Sequence, residues 1–209
     1  MGEPALTVYV VDDDPDLLRA IERLLQSVGL RVATFPSAQL FLEQFDRNAP
    51  GCLVLDLALP GLSGLELQRV LEQHASRLPI VFLTGRGDIA HSVQAMKHGA
   101  ADFLTKPVDD VELIAAIREA LARDQALRRA SVERERVEKC LATLTERERQ
   151  VLEQIVAGRL NKQIAAELGT VEKTIKFHRG NLMRKMGVRV VADLVKLAER
   201  AGVGSTPGT

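Results

Sequence analysis

Aromatic side chains are scarce in this chain: its 209 residues include no Trp, one Tyr and six Phe, 3% in all. Aliphatic packing therefore has to do most of the burying, and a hydrophobic content of 46% supplies enough of it for a globular core. Cysteine is nearly absent as well. Cys52 and Cys140 sit far apart in different kinds of segment, and two lone thiols make neither a disulfide framework nor a zinc site. No apolar run approaches the roughly 18–20 residues that cross a bilayer. Residues 1–6 are too short and too acidic for a signal peptide, so no membrane partner and a cytoplasmic location are expected. Net charge is missing too, with 28 basic and 28 acidic residues. That balance hides a split: residues 1–120 hold 10 Lys+Arg against 17 Asp+Glu, and residues 121–209 hold 18 against 11. An acidic first half and a basic second half point to two modules with different partners, nucleic acid being a candidate for the second.

What is present is a strict alternation. Short apolar runs at 6–11, 30–35, 52–56, 80–84 and 101–104 are separated by helical periodicities at 15–28, 37–45, 64–74, 89–98 and 109–121. Five strand–helix pairs in this order predict an α/β fold, a doubly wound five-stranded parallel sheet with helices on both faces. The expected domains are residues 1–122, a helical linker over 123–143, a small all-α domain over 144–203 and a flexible tail over 204–209. The linker assignment rests on residues 123–139, where ten of seventeen residues are charged and neither Gly nor Pro occurs; a solvated helix is expected, without a sustained heptad. In the last domain, Thr145 with Glu148 is a capping box ahead of Val151, Leu152, Ile155 and Val156. Gly158 ends that helix, Asn161 is expected to cap a short helix through Leu168, and Gly169 makes a turn. Thr170 is expected to cap a longer helix from about 171 to 186 that ends at Gly187, and a final helix is expected over 191–201. Short helix, Gly-containing turn, basic helix is the helix-turn-helix order.

In a parallel α/β sheet the ligand sits at the carboxyl ends of the strands near the topological switch point. There the first domain concentrates its polar residues: Asp12, Asp13 and Asp14 after strand 1, Asp56 after strand 3, Thr84 ending strand 4 and Lys106 after strand 5. Carboxylates crowded in one crevice repel each other unless a divalent cation joins them, and an all-oxygen set suits Mg²⁺. A lysine and a hydroxyl beside them suit phosphoryl oxygens. Asp14 and Asp16 open a helix and are expected to complement its N-terminus. Alone, Thr84 would be an ordinary strand residue and Phe103 plain core; the joint order is what singles them out. Gly61-Leu62-Ser63-Gly64 lacks the Lys-Ser/Thr of a P-loop, so no nucleotide site is implied.

Val11-Asp12-Asp13, Asp56 followed by Pro60 and Gly64, Thr84-Gly85, and Asp102-Phe103 leading to Lys106-Pro107 resemble the receiver domains of CheY-like response regulators. The resemblance implies that Asp56 is the phosphoacceptor, taking its phosphoryl group from a sensor histidine kinase. It implies that Asp13 and Asp56 bind Mg²⁺ directly, Asp12 through water, and that the backbone carbonyl of Ala58 completes the site. Lys106 would hold a phosphoryl oxygen, with the Lys106–Pro107 bond cis. Thr84 would swing onto the phosphoryl group, and Phe103, the switch aromatic, would take the vacated space. That change would reshape the surface around 89–98, 101–104 and 109–121, the usual face for homodimerisation on phosphorylation. Ala58 and Arg86 stand where receivers line the approach of the hydrolytic water. Ala58 offers that water no polar group, and Arg86 is long enough either to shield the phosphoryl group or to point into solvent; a long-lived phosphorylated state is expected.

Between Gly169 and Arg189 stand six Lys/Arg against one acid, Glu172. On a helical wheel Ile175, His178, Leu182 and Met186 share a core stripe, while Lys173, Phe177, Gly180 and Arg184 lie opposite with Lys176 on the flank. A basic face of this kind can enter a major groove. Leu144-Thr145-Glu146-Arg147-Glu148, Gly158, Asn161-Lys162-Gln163-Ile164-Ala165 and Thr174-Ile175-Lys176 through His178 and Asn181 to Lys185-Met186-Gly187 resemble the LuxR-type domain, so the whole chain resembles the NarL/FixJ family. The resemblance implies that Lys176 and Phe177 read bases, Phe177 being suited to a thymine methyl, with Lys173, Thr174, Arg179 and Arg184 on the DNA backbone. The partners expected are a histidine kinase, double-stranded DNA bearing an inverted repeat, and RNA polymerase. Two other functions use the same residues. One is a docking module that works without phosphorylation. The other is a phosphatase with an Asp nucleophile, disfavoured because the nucleophile follows strand 3 and no substrate-cap insertion exists. On the favoured reading the chain is no enzyme beyond phosphoryl transfer to, and hydrolysis from, its own Asp56.

Overall fold

The computed structural model describes residues 6–46, 48–85 and 97–203. They fall into two compact units, Met1–Arg128 and Arg129–Thr209. In the first, the strands are β1 (Thr7–Val11), β2 (Arg31–Phe35), β3 (Gly51–Asp56), β4 (Ile80–Thr84) and β5 (Asp102–Thr105), with helices α1 (Pro15–Ser27), α2 (Ala38–Gln44) and α3 (Gly64–Gln73) between them. All pairings are parallel and the order is β2-β1-β3-β4-β5. The chain moves outward in one direction from β1 to β2 and in the other from β3 to β5, so a switch point falls between β1 and β3.

Strand alternation feeds a core on each face. Val8 and Val10 pack with Leu18, Ile21 and Leu25 of α1 and with Leu113 and Ile117, while Val11, Leu53 and Leu55 pack with Phe41, Leu67 and Leu71. β3 and β4 are buried along their whole length, as central strands covered on both faces must be. Asp14 caps α1, its carboxylate accepting the N–H groups of Asp16 and Leu17, which is the N-terminal role the sequence assigns to it. The expected helix at 89–98 lies, apart from its last residues, outside the described residues, as do Arg86 and the tail.

The helix expected at 109–121 does not stop there. α4 runs without a break over Asp110–Ala142, so it absorbs the linker. Its charged stretch is also less solvated than expected at its ends, because Asp124 and Val137 are buried. In the second unit α5 (Glu146–Val156), α6 (Asn161–Glu167), α7 (Glu172–Lys185) and α8 (Val191–Arg200) enclose Val151, Leu152, Ile155, Ile164, Ile175, Leu182, Met186 and Leu194. The Thr145–Glu148 capping box forms as the sequence requires. Two caps differ. Asn161 is the first helical residue of α6, where the Gln163 side chain reaches back to the Leu160 N–H. Val171, one residue beyond Thr170, precedes α7 and has no side-chain cap. The turn between α6 and α7 needs a left-handed residue, and Gly169 at φ +63° supplies it.

Candidate functional sites

Strand register assembles the acidic site. Val11 pairs with Leu55, so Asp12 and Asp56 leave the sheet side by side at the switch point. Asp56 pairs with Leu83, and Thr84 with Thr105, which delivers Lys106 to the same edge. One carboxylate oxygen from each of Asp12, Asp13 and Asp56 lies within 4.8 Å of the other two. Lys106 Nζ bridges two of them, 2.7 Å from Asp12 Oδ2 and 3.1 Å from Asp56 Oδ1. Asp12 and Asp56 are buried and Asp13 is exposed, so the cluster opens to solvent on one side. Burial pushes the Asp56 carboxyl above its usual range, opposed by the Lys106 ammonium and the Ala58 N–H. Burial works against the Lys106 ammonium too, yet its hydrogen bonds to Asp12 and Asp56 hold its pKa above the ordinary lysine value. Three hard oxygen donors within reach of one point form a set fitted to a divalent cation. The Lys106–Pro107 bond is cis. Thr84 is buried at the end of β4, whereas the Phe103 ring is 41% exposed. Plain core, the other reading of Phe103, does not describe it.

The second unit spreads its charge along α7. Ile175, Leu182 and Met186 are buried, and His178 is half-buried at the core edge, as the wheel has it. Lys173, Lys176 and Arg184 are exposed, and Phe177 is 65% exposed, a large apolar ring turned to solvent among cations. Lys176 makes a surface ion pair with Glu172, at 3.3 Å. Arg184 donates to Asn181 Oδ1 at 2.7 Å. Two cations of the count are tied inward. Arg179 donates to Asn161 Oδ1 at 2.9 Å, and Lys185 Nζ lies 2.6 Å from the buried Glu148 carboxylate and 2.9 Å from the Thr143 carbonyl oxygen. The outward basic face of α7 is therefore Lys173, Lys176 and Arg184, with Thr174 half-buried beside them; the sixth cation, the exposed Arg189, lies beyond the helix.

Both halves of the chain match known families. Residues 8–118 match the response regulator receiver domain family, and residues 142–198 match the luxR family of bacterial regulatory proteins. The chain belongs to the NarL/FixJ family of response regulators. It is 44% identical over 200 residues to response regulator protein TodT of Pseudomonas putida, covering 96% of this chain and 88% of that one. It is 43% identical to nodulation protein W of Bradyrhizobium diazoefficiens, covering 95% and 87%. Among solved structures, response regulator StyR superposes with a TM-score of 0.83 at 45% identity, covering 94% of this chain and 99% of that one. Full-length FixJ of B. japonicum superposes with a TM-score of 0.61 at 38% identity, covering 96% and 98%. This response regulator is thus a DNA-binding transcription regulator of a two-component system, whose receiver implies a histidine kinase partner. Among the described residues no helix is long and apolar enough to cross a membrane.

Sequence reasoning missed two polar clusters in this regulator. Asp124 and Arg128 read only as members of a charge run, although Asp124 is fully buried. The Glu148–Lys185 pair was half visible, since Glu148 stood out as a capping residue but its second partner lies 37 positions away. In both cases composition gives the charge and only the tertiary fold gives the partner.

Proposed function

We propose that Asp56 accepts the phosphoryl group and that its phosphorylation drives homodimerisation and operator binding. One observation carries the reading: Lys106 bridges Asp12 and Asp56 at the sheet edge where Asp13 joins them. In the reaction an Asp56 carboxylate oxygen forms a bond to phosphorus as the phosphorus–nitrogen bond of a phosphohistidine breaks, and the imidazole leaves with a proton. Asp13 and Asp56, with Asp12 and the Ala58 carbonyl, are the groups to hold Mg²⁺, which when bound offsets negative charge on the phosphoryl oxygens. Lys106 carries a second positive charge to those oxygens. Thr84, buried beside the site, is the hydroxyl to meet the phosphoryl group, and exposed Phe103 is the ring to move inward after it. In the second domain Lys176 and Phe177 read bases, and Lys173, Thr174 and Arg184 contact the backbone; Arg179, engaged with Asn161, serves there mainly by fixing α6 against α7. An inverted-repeat operator and contact with RNA polymerase in the cytoplasm complete the proposal.

The test is labelling by acetyl phosphate in Mg²⁺. Wild-type protein is expected to label and Asp56→Ala to lose the label entirely while keeping its circular dichroism spectrum. Undiminished labelling of the variant moves the acceptor elsewhere. A wild type that never labels favours the docking module.

A further inference from the structure

The receiver keeps hold of α4 beyond the span, 8–118, that matches its family. Asp124, fully buried, lies two turns further along this helix. Its Oδ2 accepts the Gly51 N–H at 3.0 Å and the Arg128 Nε–H at 2.7 Å. Arg128 then donates from Nη1 to the Asn48 carbonyl oxygen at 2.7 Å and from Nη2 to that of Ala49 at 2.8 Å. One Asp–Arg pair, spaced i to i+4 on the helix, thus satisfies three backbone groups of the segment leading into β3. The segment cannot easily shift to find other partners. Gly51 sits at φ +154°, and a Cβ there would stand 1.9 Å from the Thr7 carbonyl oxygen. β3 therefore begins pressed against the backbone of β1, with its first N–H directed to Asp124. This grip is at the opposite end of β3 from Asp56, and the phosphoryl chemistry does not use it.

We propose that Asp124 and Arg128 are positioning residues that root the inter-domain helix in the receiver. The receiver's output then passes into a helix held through residue 128, not into a tether free from residue 123. Arg128 is suited to this because its planar fork reaches two carbonyls and a carboxylate at once, which a lysine cannot do. The proposal rests on the reading that phosphorylation controls DNA binding, and its two measurements separate the failure of one from the failure of the other.

The first measurement is hydrogen exchange on the full chain with Arg128→Met, which leaves the Asp124–Gly51 bond in place. Local opening should accelerate amide exchange over 122–129 by about tenfold or more, with β3 and α7 unchanged. Exchange at 122–129 equal to wild type, or faster uniformly across the receiver, overturns the root. The second is the gain in operator affinity on treatment with acetyl phosphate. It should fall at least about threefold in Arg128→Met at unchanged Asp56 labelling, with part of the loss restored in Arg128→Lys. A full gain in Arg128→Met overturns the transmitting role. If wild-type protein shows no gain, the proposed function fails, and the exchange experiment still decides the root. Asp124→Asn, which keeps an acceptor for Gly51 but loses the charge facing Arg128, should repeat the exchange pattern in milder form.

Discussion

At the acidic site Lys106 and Asp12, 94 positions apart, meet at 2.7 Å. In the second domain, six basic residues share the short stretch between Gly169 and Arg189, and most of them face water. The first arrangement is made by strand order, and each member has one place to be. The second is made by helix periodicity, which fixes a face but not the task of each side chain on it. Buried charge in a closed geometry is therefore readable from the order of strand ends. Exposed charge on a helix is readable only as a surface, since surface pairs such as Lys176–Glu172 contribute little, about 0–1 kcal/mol.

Variants can sharpen that contrast. The largest effect is expected where the second domain departs from it and buries a pair. Glu148→Ala should destabilise the domain by about 3 kcal/mol, the low end for a broken buried ion pair, because the Lys185 side chain keeps 30% of its exposure. Thermal melts followed by circular dichroism check this, and a loss below about 1 kcal/mol would make the pair a surface one. The same pair gives the domain an acid limit. Burial alone would raise the Glu148 carboxyl, but the Lys185 ammonium and the Thr145 N–H and hydroxyl hold it below its ordinary value of 4.5. A carboxylate with a depressed native pKa stabilises the fold above its unfolded value, and the stabilisation is lost as pH falls through the native one. Amide exchange in α5 and α7 should therefore rise below about pH 4.5, and Lys185→Met should flatten that rise.

A smaller effect separates base reading from phosphate binding. Lys176→Ala should cost about 1–3 kcal/mol on a specific operator and much less on random DNA. Arg179→Ala, which cuts the tie to Asn161, should weaken both DNAs alike. Equal losses for Lys176→Ala on both would make it a phosphate contact. The smallest effect belongs to the acidic site. Ala58 is exposed beside Asp56 and has no polar atom beyond its backbone, so Ala58→Asn, which can orient a water, should shorten the labelled state several-fold, about 1 kcal/mol of barrier. Unchanged decay after donor removal would show that position 58 does not limit hydrolysis.

Much of this molecule was legible in its sequence. The apolar runs marked all five strands to within a residue or so. β3 and β4 are continuously apolar because they are buried on both faces, and the edge strands β2 and β5, only partly buried, were placed by their turn in the alternation. The order of Asp12, Asp56, Thr84 and Lys106 along those strands was enough to bring them to one edge. Three things were not legible. The continuity of α4 was hidden: a helix over 109–121 and a helical linker after it were both expected, but a charged stretch without Gly or Pro does not say whether the two join. The cap at Asn161 was misjudged because propensity favours it, while Gln163 caps the helix and Asn161 is tied to Arg179; at Thr170 the helix begins one residue later, after Val171, with no side-chain cap. Lys185 and Asp124 could not be told from their exposed neighbours, because pairing depends on residues 37 and 73 positions away.

On the proposed function, charge added at Asp56 governs what the basic face of α7 does. The most direct test is the dissociation constant for one operator fragment at fixed salt, for wild type and Asp56→Ala, before and after acetyl phosphate with Mg²⁺. Fixed salt matters because phosphate contacts make the affinity steeply ionic-strength dependent. The expected result is a gain of about five- to 150-fold in wild type, the range of ordinary coupling energies, and none in Asp56→Ala. Equal affinities in all four states would contradict the claim and leave the receiver a docking module attached to a constitutive DNA-binding domain.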